Sequence, residues 1–424
     1  MKKLKFQTPT GMHDILPEDE RYFQEIYKVV KEIADFYRFQ KIETPILEDT
    51  ELFSRGIGMA TDIVQKEMFT FKTRGGDFLT LRPEGTAPII RAYFQHGFKN
   101  LPQPVKLWYF SPFFRYERPQ LGRFRQFWQF GFEVIGEESS VIDAQLILIF
   151  SNILKELGFQ NLVLKINSLG DSNCRPYYRK VLTSYFKSKV NVLCQDCRRR
   201  LKENPLRILD CKEERCQQIV SQAPQILDYL CEACKAHFKE VLEFLEDLGI
   251  SYYLDPFLVR GLDYYTRTVF EIFEEGEKGK AVGALAGGGR YDNLAKIIGD
   301  EEIPAAGGAG GIERIIILLK EKKMKPPVEK KPKVFLAQIG GEARKKALKL
   351  LEVFREAKIP VVESLGRDSL KSQMRVADAL GVKYTLVLGQ KEAIEGKILV
   401  KDMISGKQKI IPLKRVVSFI KKKI

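Results

Sequence analysis

Arginines set beside glycines, carboxylates and aromatic rings are the residues of this chain best suited to chemistry. They are Arg82, Arg91, Arg115, Arg118, Arg123 and Arg125 in the first half, then Arg260, Arg290 and Arg314. A guanidinium is a planar fork that matches phosphate oxygens two at a time and keeps its charge at any physiological pH. One such arginine reads as a cation on a solvated strand edge. Several, each beside a glycine or a carboxylate, read as a polyphosphate site. The densest run is "FFRYERPQLGRFRQFWQFGFEVIG", residues 113–136, where apolar residues and arginines interleave on both sides of an "RPQLGR" turn, as in a hairpin. A second run, "LVRGLDYYTRTVFEIF" at 258–273, sets Arg260, Gly261, Asp263, Tyr264 and Tyr265 at the mouth of an apolar strand. Histidine is scarce: His13, His96 and His237 are the only three, and none stands in a nucleophile motif. The pattern favours charge neutralisation over acid–base work.

Two glycine-rich stretches, "LAGGGRYDNL" and "AAGGAGGIERIIILL", invite a phosphate-loop reading and fail it. The chain has no GxxxxGK[ST], and neither stretch fits GxGxxG with its following acidic residue. Seven cysteines without a secretory context argue against a disulfide framework. Cys194 with Cys197, and Cys231 with Cys234, form two CxxC pairs that could enclose a tetrahedral structural zinc remote from catalysis, with Cys211 and Cys216 as alternates. The other reading is a set of reduced thiols in a helical insertion.

These residues must be held by a larger frame. "LPEDERYFQEIYKVVKEIADFYRF" predicts a helix: Pro17 suits its first turn, Glu18, Asp19 and Glu20 its positive end, and Phe23, Ile26, Tyr27, Val30, Ala34 and Tyr37 recur along one face. A short strand closed by Pro45, two strands about an "RGG" turn, and alternating elements to about Gly170 follow. Residues 175–248 turn mostly helical and polar, an insertion. Strand character returns at Tyr252. The predicted layout is a catalytic body over 1–320, a Pro/Lys-rich linker over 321–333 and a compact α/β domain over 334–424. Charge divides the same way. Residues 321–424 hold 26 basic and 11 acidic residues, a surplus of 15 that equals the net charge of the whole chain. A surplus confined to one domain is the footprint of a polyanion, nucleic acid before membrane. The N-terminal segment lacks the apolar core of a signal peptide, so the expected location is cytoplasmic.

Taken together, "TPTGMHDILPEDE", "LTLRPEGTAPIIRAYF", the 113–136 run, "LVRGLDYYTRTVFEIF", "LAGGGRYDNL" and "GAGGIERI" resemble the class II aminoacyl-tRNA synthetases, and among them the histidyl-tRNA synthetases of bacterial type. The likeness covers nearly the whole length, and "RGLDYY" and "GGGRYD" in this order are its most specific parts. It implies an α+β catalytic domain, an antiparallel sheet with flanking helices, carrying a mostly helical insertion, and a C-terminal α/β anticodon-binding domain. It also implies ATP-dependent attachment of L-histidine to histidine tRNA through a histidyl-adenylate, with Mg2+ accompanying the ATP, and a homodimer formed through the first helix and its strand. Such a reaction needs no side-chain nucleophile, because the substrate carboxylate arrives ionised.

By the same resemblance, Arg115 and Arg260 grip the α-phosphate from two sides as the catalytic pair, while Arg314 and Glu117 belong with ATP. Glu84, Gly85 and Thr86 of "PEGT", with Gln129, take the α-amino group. Glu133 and Tyr265 pair with the two imidazole nitrogens, Tyr264 and Tyr291 line the histidine pocket, and Arg260 borders it. Gln120 and Arg123 approach the tRNA acceptor end. Two departures from the family pattern stand out. Trp128 replaces a frequent histidine beside Gln129, on the opposite strand face, and "GGAGGIER" is richer in glycine than usual, which could loosen the adenine pocket. A catalytically silent relative that regulates the first enzyme of histidine biosynthesis shares the body, but typically lacks the basic tail and degrades these motifs.

Overall fold

In the computed structural model, residues 6–276, 281–324, 326 and 332–424 are described. The chain divides into two compact units, Met1–Pro327 and Val328–Ile424. Of the segment read as a linker, residues 325 and 327–331 lie outside the described residues.

The first unit opens with α1 (Pro17–Phe36), which has proline in its first turn and buries Phe23, Ile26, Val30 and Ile33. After β1 (Gln40–Lys41) come β2 (Leu47–Asp49), α2 (Thr50–Ile57), β3 (Phe69–Lys72) and β4 (Phe78–Leu81); β2, β4 and β3 form a small antiparallel sheet. Helix α3 (Thr86–Gln95) leads to the hairpin of β5 (Val105–Phe114) and β6 (Gln126–Ile135). Helix α4 (Ser140–Glu156) and β7 (Leu162–Ser168) precede the insertion, whose helices are α5 (Arg175–Lys187), α6 (Gln195–Glu203), α7 (Glu214–Val220) and α8 (Glu232–Asp247). The unit ends with β8 (Tyr252–Leu254), β9 (Thr266–Glu274), β10 (Ala286–Arg290), α9 (Leu294–Gly299), β11 (Ala305–Gly311) and α10 (Ile312–Glu321). The large sheet runs β1-β5-β6-β11-β10-β9-β7-β8 and is antiparallel except at its two outer pairs. Helices cover it, with Phe130, Phe132, Phe150 and Phe270 in the core between. This is the expected α+β body.

The glycine-rich stretches are not loops. They are β10 and β11, the central pair of the sheet, and glycine is there because its neighbours leave no room for more. A Cβ on Gly288 would stand 2.2 Å from the Gly307 carbonyl oxygen, and one on Gly307 would stand 1.7 Å from Glu133 Oε2. Intrinsic strand propensity is overridden by what must approach the backbone.

The second unit has a five-stranded sheet, β13-β12-β14-β15-β16, built from β12 (Val334–Gln338), β13 (Val361–Glu363), β14 (Tyr384–Leu388), β15 (Lys397–Asp402) and β16 (Gln408–Pro412). Strands β13, β12 and β14 are parallel and the last two run antiparallel. Val334, Leu336, Leu350, Phe354, Leu386 and Ile398 fill its core. Among the described residues no helix is long and apolar enough to cross a membrane.

Candidate active site

The β5–β6 loop, the segment before β9, strands β10 and β11 and the first turn of α10 enclose one pocket, lined by Arg115, Arg123, Arg260 and Arg314 together with Glu117, Glu271 and Gln129. Each arginine is oriented by a backbone or carboxylate partner. Arg115 Nε donates to the Pro83 carbonyl at 2.9 Å, and its guanidinium lies 5.3 Å from the centre of the Phe127 ring. Arg314 donates from Nε to the Gly122 carbonyl at 2.9 Å and from Nη1 to the Ala284 carbonyl at 2.8 Å. Arg260 pairs through Nη1 with Glu271 and lies 5.8 Å from the Tyr265 ring centre. Its buried Nε has no hydrogen-bond partner among the described residues. A Cβ on Gly287 would stand 2.8 Å from Arg260 Nη1, so that glycine gives the guanidinium its place.

Burial, and then the positive charges of Arg123 and Arg115, pull the Arg314 guanidinium down to about 10. Like charges held this closely favour an anion in the pocket. Glu117 offsets part of the charge: Oε2 is 3.2 Å from Arg123 Nη1 and Oε1 is 3.9 Å from Arg115 Nη1. The arrangement can bind a polyphosphate and stabilise negative charge developing on it.

A second, fully buried cluster contains Glu84, Thr86, Glu133, Tyr264, Tyr265 and Tyr291. None of these residues lines the arginine pocket, unlike Gln129, and none exceeds 7% exposure. Buried polar groups need partners, and these have found one another. Tyr291 Oη donates to Glu133 Oε2, Thr86 Oγ1 donates to Glu133 Oε1 at 2.9 Å, and Tyr264 Oη donates to Glu84 Oε2 at 3.2 Å. Glu84 also accepts the backbone N–H groups of Thr86 at 2.7 Å and Ala87 at 2.9 Å, so it caps α3 at the turn through Gly85. Tyr265 stacks obliquely on Tyr264, with ring centres 4.8 Å apart. Burial pushes the Glu133 carboxyl up to about 8, against the hydrogen bonds from Tyr291 and Thr86. The carboxyl therefore holds a proton far more readily than an exposed glutamate does. Register ties the two regions together: on β11, Gly307 faces Glu133 and Gly311 faces Gln129.

Several sequence-derived candidates stand elsewhere. Arg82 is buried and donates to the Thr44 and Pro112 carbonyls and to Glu43. Arg290, also fully buried, spends its donors on Asp143, Asp292 and the Glu137 and Ser139 carbonyls, while His237 meets Asp143 at 2.7 Å. Arg91 pairs with Glu48, Arg125 lies over the Tyr116 ring, and Arg118 is exposed on the turn. None of these five lines the arginine pocket. Gln120 is exposed beside Arg123, with which it forms an isolated bridge, but Arg123 itself is in the pocket wall rather than only at the turn. Trp128 packs against Phe23 and Phe110, with ring centres 5.9 Å from each. Its backbone N–H reaches both oxygens of Glu313 at 2.9 Å, and burial pushes that carboxyl up to about 7.

Sequence reading missed Glu271. Its signal was a lone carboxylate within an apolar strand, on the alternation that returns it toward Arg260. It also missed Asn204 and Arg207 of the insertion, which hold Asp263 Oδ1 at 3.0 Å and the Arg260 carbonyl at 2.9 Å.

The zinc set drawn from the two CxxC pairs requires correction. Cys194 and Cys197 converge with Cys211 and Cys216, whereas Cys231 and Cys234 converge with Cys174 and Asp171. The pairs begin two different helices, Cys194 at the start of α6 and Cys231 at the start of α8; the first is met by Cys211 and by Cys216 of α7, the second by Asp171 and by Cys174 at the start of α5.

A family model described as histidyl-tRNA synthetase matches residues 11–315, and one described as anticodon binding domain matches residues 333–423. The chain is 46% identical over 420 residues to a histidine–tRNA ligase of Halothermothrix orenii, covering 98% of this chain and 99% of that protein. It is 45% identical over 419 residues to one of Dehalococcoides mccartyi, covering 99% and 100%. The crystal structure of apo Staphylococcus aureus histidyl-tRNA synthetase superposes with a TM-score of 0.80 at 37% identity, covering 98% of this chain and 100% of that one.

Proposed function

The chain belongs to the histidyl-tRNA synthetase family, and from that premise we propose how its side chains divide the work. The protein is a class II aminoacyl-tRNA synthetase that attaches L-histidine to histidine tRNA at the expense of ATP, through a histidyl-adenylate, releasing AMP and diphosphate. In the first step the histidine carboxylate attacks the α-phosphorus and diphosphate leaves. The need is alignment and charge stabilisation rather than a base. Arg115 and Arg260 take the α-phosphate oxygens, whose negative charge peaks in the transition state, and Glu271 holds Arg260 in place. Arg314, with Arg123 beside it, takes the outer phosphates. Glu117 and Glu271 are pocket carboxylates of the kind that share Mg2+ with ATP, and the ion would supply the charge that the guanidinium groups leave uncompensated.

The histidine side chain enters the buried cluster. Glu133 exchanges its Tyr291 and Thr86 partners for one imidazole nitrogen, Tyr265 faces the other, and Gln129 with Thr86 and Glu84 receives the α-ammonium group. A protonated Glu133 and a neutral imidazole together carry the same single proton as a carboxylate–imidazolium pair, so the ring can be bound near neutral pH with no net uptake. The second step passes the acyl group from the adenylate to the tRNA terminal hydroxyl, with Gln120 and the Arg123 turn at the acceptor end and the basic second unit on the anticodon arm.

The observation that carries this reading is the convergence of Arg115, Arg260 and Arg314 on one pocket beside Gln129. Incubation with ATP, bulk tRNA and each labelled amino acid in turn tests it: label should enter acid-precipitable tRNA with histidine alone. Labelling by another amino acid would contradict it. Because Arg123 belongs to the pocket wall, Arg123→Ala should slow adenylate formation by about tenfold, in line with loss of one half-exposed charged contact. An unchanged ATP–pyrophosphate exchange rate with slowed tRNA charging would confine Arg123 to the acceptor end.

The protein works as a cytoplasmic homodimer in this reading. Support comes from Leu47, Phe71 and Phe78 of the small sheet, which are apolar and at least 40% exposed on the single chain. Sedimentation at micromolar concentration should give twice the chain mass, and a monomer would overturn the assignment.

A further inference from the structure

We propose that Cys194, Cys197, Cys211 and Cys216 bind a structural zinc ion, and that this ion fixes α6 and the helical turn after it, which prop the Arg260 segment. All four thiols are buried, and their sulfur atoms lie within 4.8 Å of one another. Cys194 Sγ and Cys211 Sγ are 3.9 Å apart. Four sulfurs at about 2.3 Å from a central zinc have edges of about 3.8 Å, so the cluster needs little adjustment to close on the metal. It is far from a disulfide, which needs about 2.05 Å, and all of the cysteines are free.

The surroundings suit thiolates. The Cys197 backbone N–H donates to Cys194 Sγ at 3.4 Å and the Cys194 N–H donates to Cys216 Sγ at 3.3 Å. Cys194 also begins α6, whose positive end favours an anionic sulfur. Backbone donors of this kind orient and stabilise metal-bound sulfur. Binding converts four thiols and one aqueous zinc ion into a tetrathiolate complex, with four protons passing to solvent. The second group is a poorer candidate because its only oxygen ligand, Asp171, is already engaged: it accepts from the Asn173 N–H at 2.9 Å and lies 3.7 Å from Arg267.

The four-thiol cluster clamps both ends of the segment between Cys197 and Cys211. That segment carries Asn204, bound to Asp263, and Arg207, bound to the Arg260 carbonyl and 3.4 Å from Asp62. The metal is therefore not remote from the chemistry. It makes Arg207 a positioning residue for the loop that presents Arg260.

Elemental analysis of the full chain, purified without chelators from zinc-supplied cells, tests the metal. At least one equivalent of zinc per chain is expected. Cys211→Ser/Cys216→Ser should lose one equivalent, and Cys231→Ser/Cys234→Ser should keep it. Should the first variant fail to fold, cobalt loading of the wild-type chain should give the intense visible bands and sulfur-to-metal charge transfer of a tetrahedral tetrathiolate. Less than about a tenth of an equivalent of zinc, iron in its place, or weak octahedral cobalt bands would overturn the site. Stripping the metal should expose residues 198–210 to protease and slow histidine-dependent exchange by about tenfold. Only that last effect rests on the role given to Arg260. A stripped protein whose residues 198–210 are as protected as before would overturn the positioning role while leaving the reaction assignment intact.

Discussion

Replacing Arg260 by alanine slows histidine-dependent ATP–pyrophosphate exchange by about a hundred- to thousandfold, while the affinity for ATP changes by no more than a few-fold. The size follows from removing one preorganised donor aimed at developing charge, about 3–4 kcal/mol. The split between rate and affinity follows because such a contact strengthens in the transition state. Arg260 is tied to Glu271, and deleting it leaves that carboxylate without its partner, so some stability is lost as well. Arg260→Lys separates the two effects. It keeps the charge near Glu271 but lacks the fork, and should retain the fold with exchange reduced at least tenfold. Equal losses in ATP affinity and in rate would assign Arg260 to ground-state binding instead.

Glu133→Gln lowers kcat/KM for histidine by about a hundredfold with KM for ATP held within about threefold, as expected where a buried partner for a ring nitrogen is removed. The pH dependence identifies the proton. With the folded-state value raised to about 8 from 4.5, Glu133 is protonated in the free enzyme below pH 8 and ionised above it. Binding that needs one proton shared by Glu133 and imidazole therefore weakens by about fivefold as pH rises from 8 to 9, and Glu133→Gln lacks this slope. Stability runs in the same direction. A raised carboxyl value leaves the fold's stability unaffected below the unfolded-state value and erodes it as pH rises from there through about 8, so the glutamine variant gains on the wild type between about pH 4.5 and 8 and no further above that. Parallel pH profiles for the two proteins would sink the assignment.

The family and the α+β body were legible because both rest on local signals: the amphipathic first helix with proline and three acidic residues in its first turn, the arginine-bearing hairpin, and the order of "RGLDYY" before "GGGRYD". Burial is not local, and the misreadings follow from that. Arg82 and Arg290 stand close to a glycine or carboxylate in sequence just as Arg115 and Arg260 do, yet one pair is saturated by carbonyls and carboxylates inside the protein and the other faces a pocket. The glycines of β10 and β11 look like loop residues until Glu133 and the neighbouring strand backbone are seen pressing on them. Cysteine spacing suggested pairs but could not say which loops fold onto which helix start. Glu271 reaches Arg260 from the strand that follows it, a contact that alternation permits and sequence spacing alone does not single out.

The most direct test of the central claim, that this pocket activates histidine and no other amino acid, is ATP–pyrophosphate exchange with each of the twenty amino acids in turn and no tRNA. Exchange with histidine alone is the predicted result. Silence with all twenty from folded, ATP-binding protein, or exchange driven by a different amino acid, would contradict it.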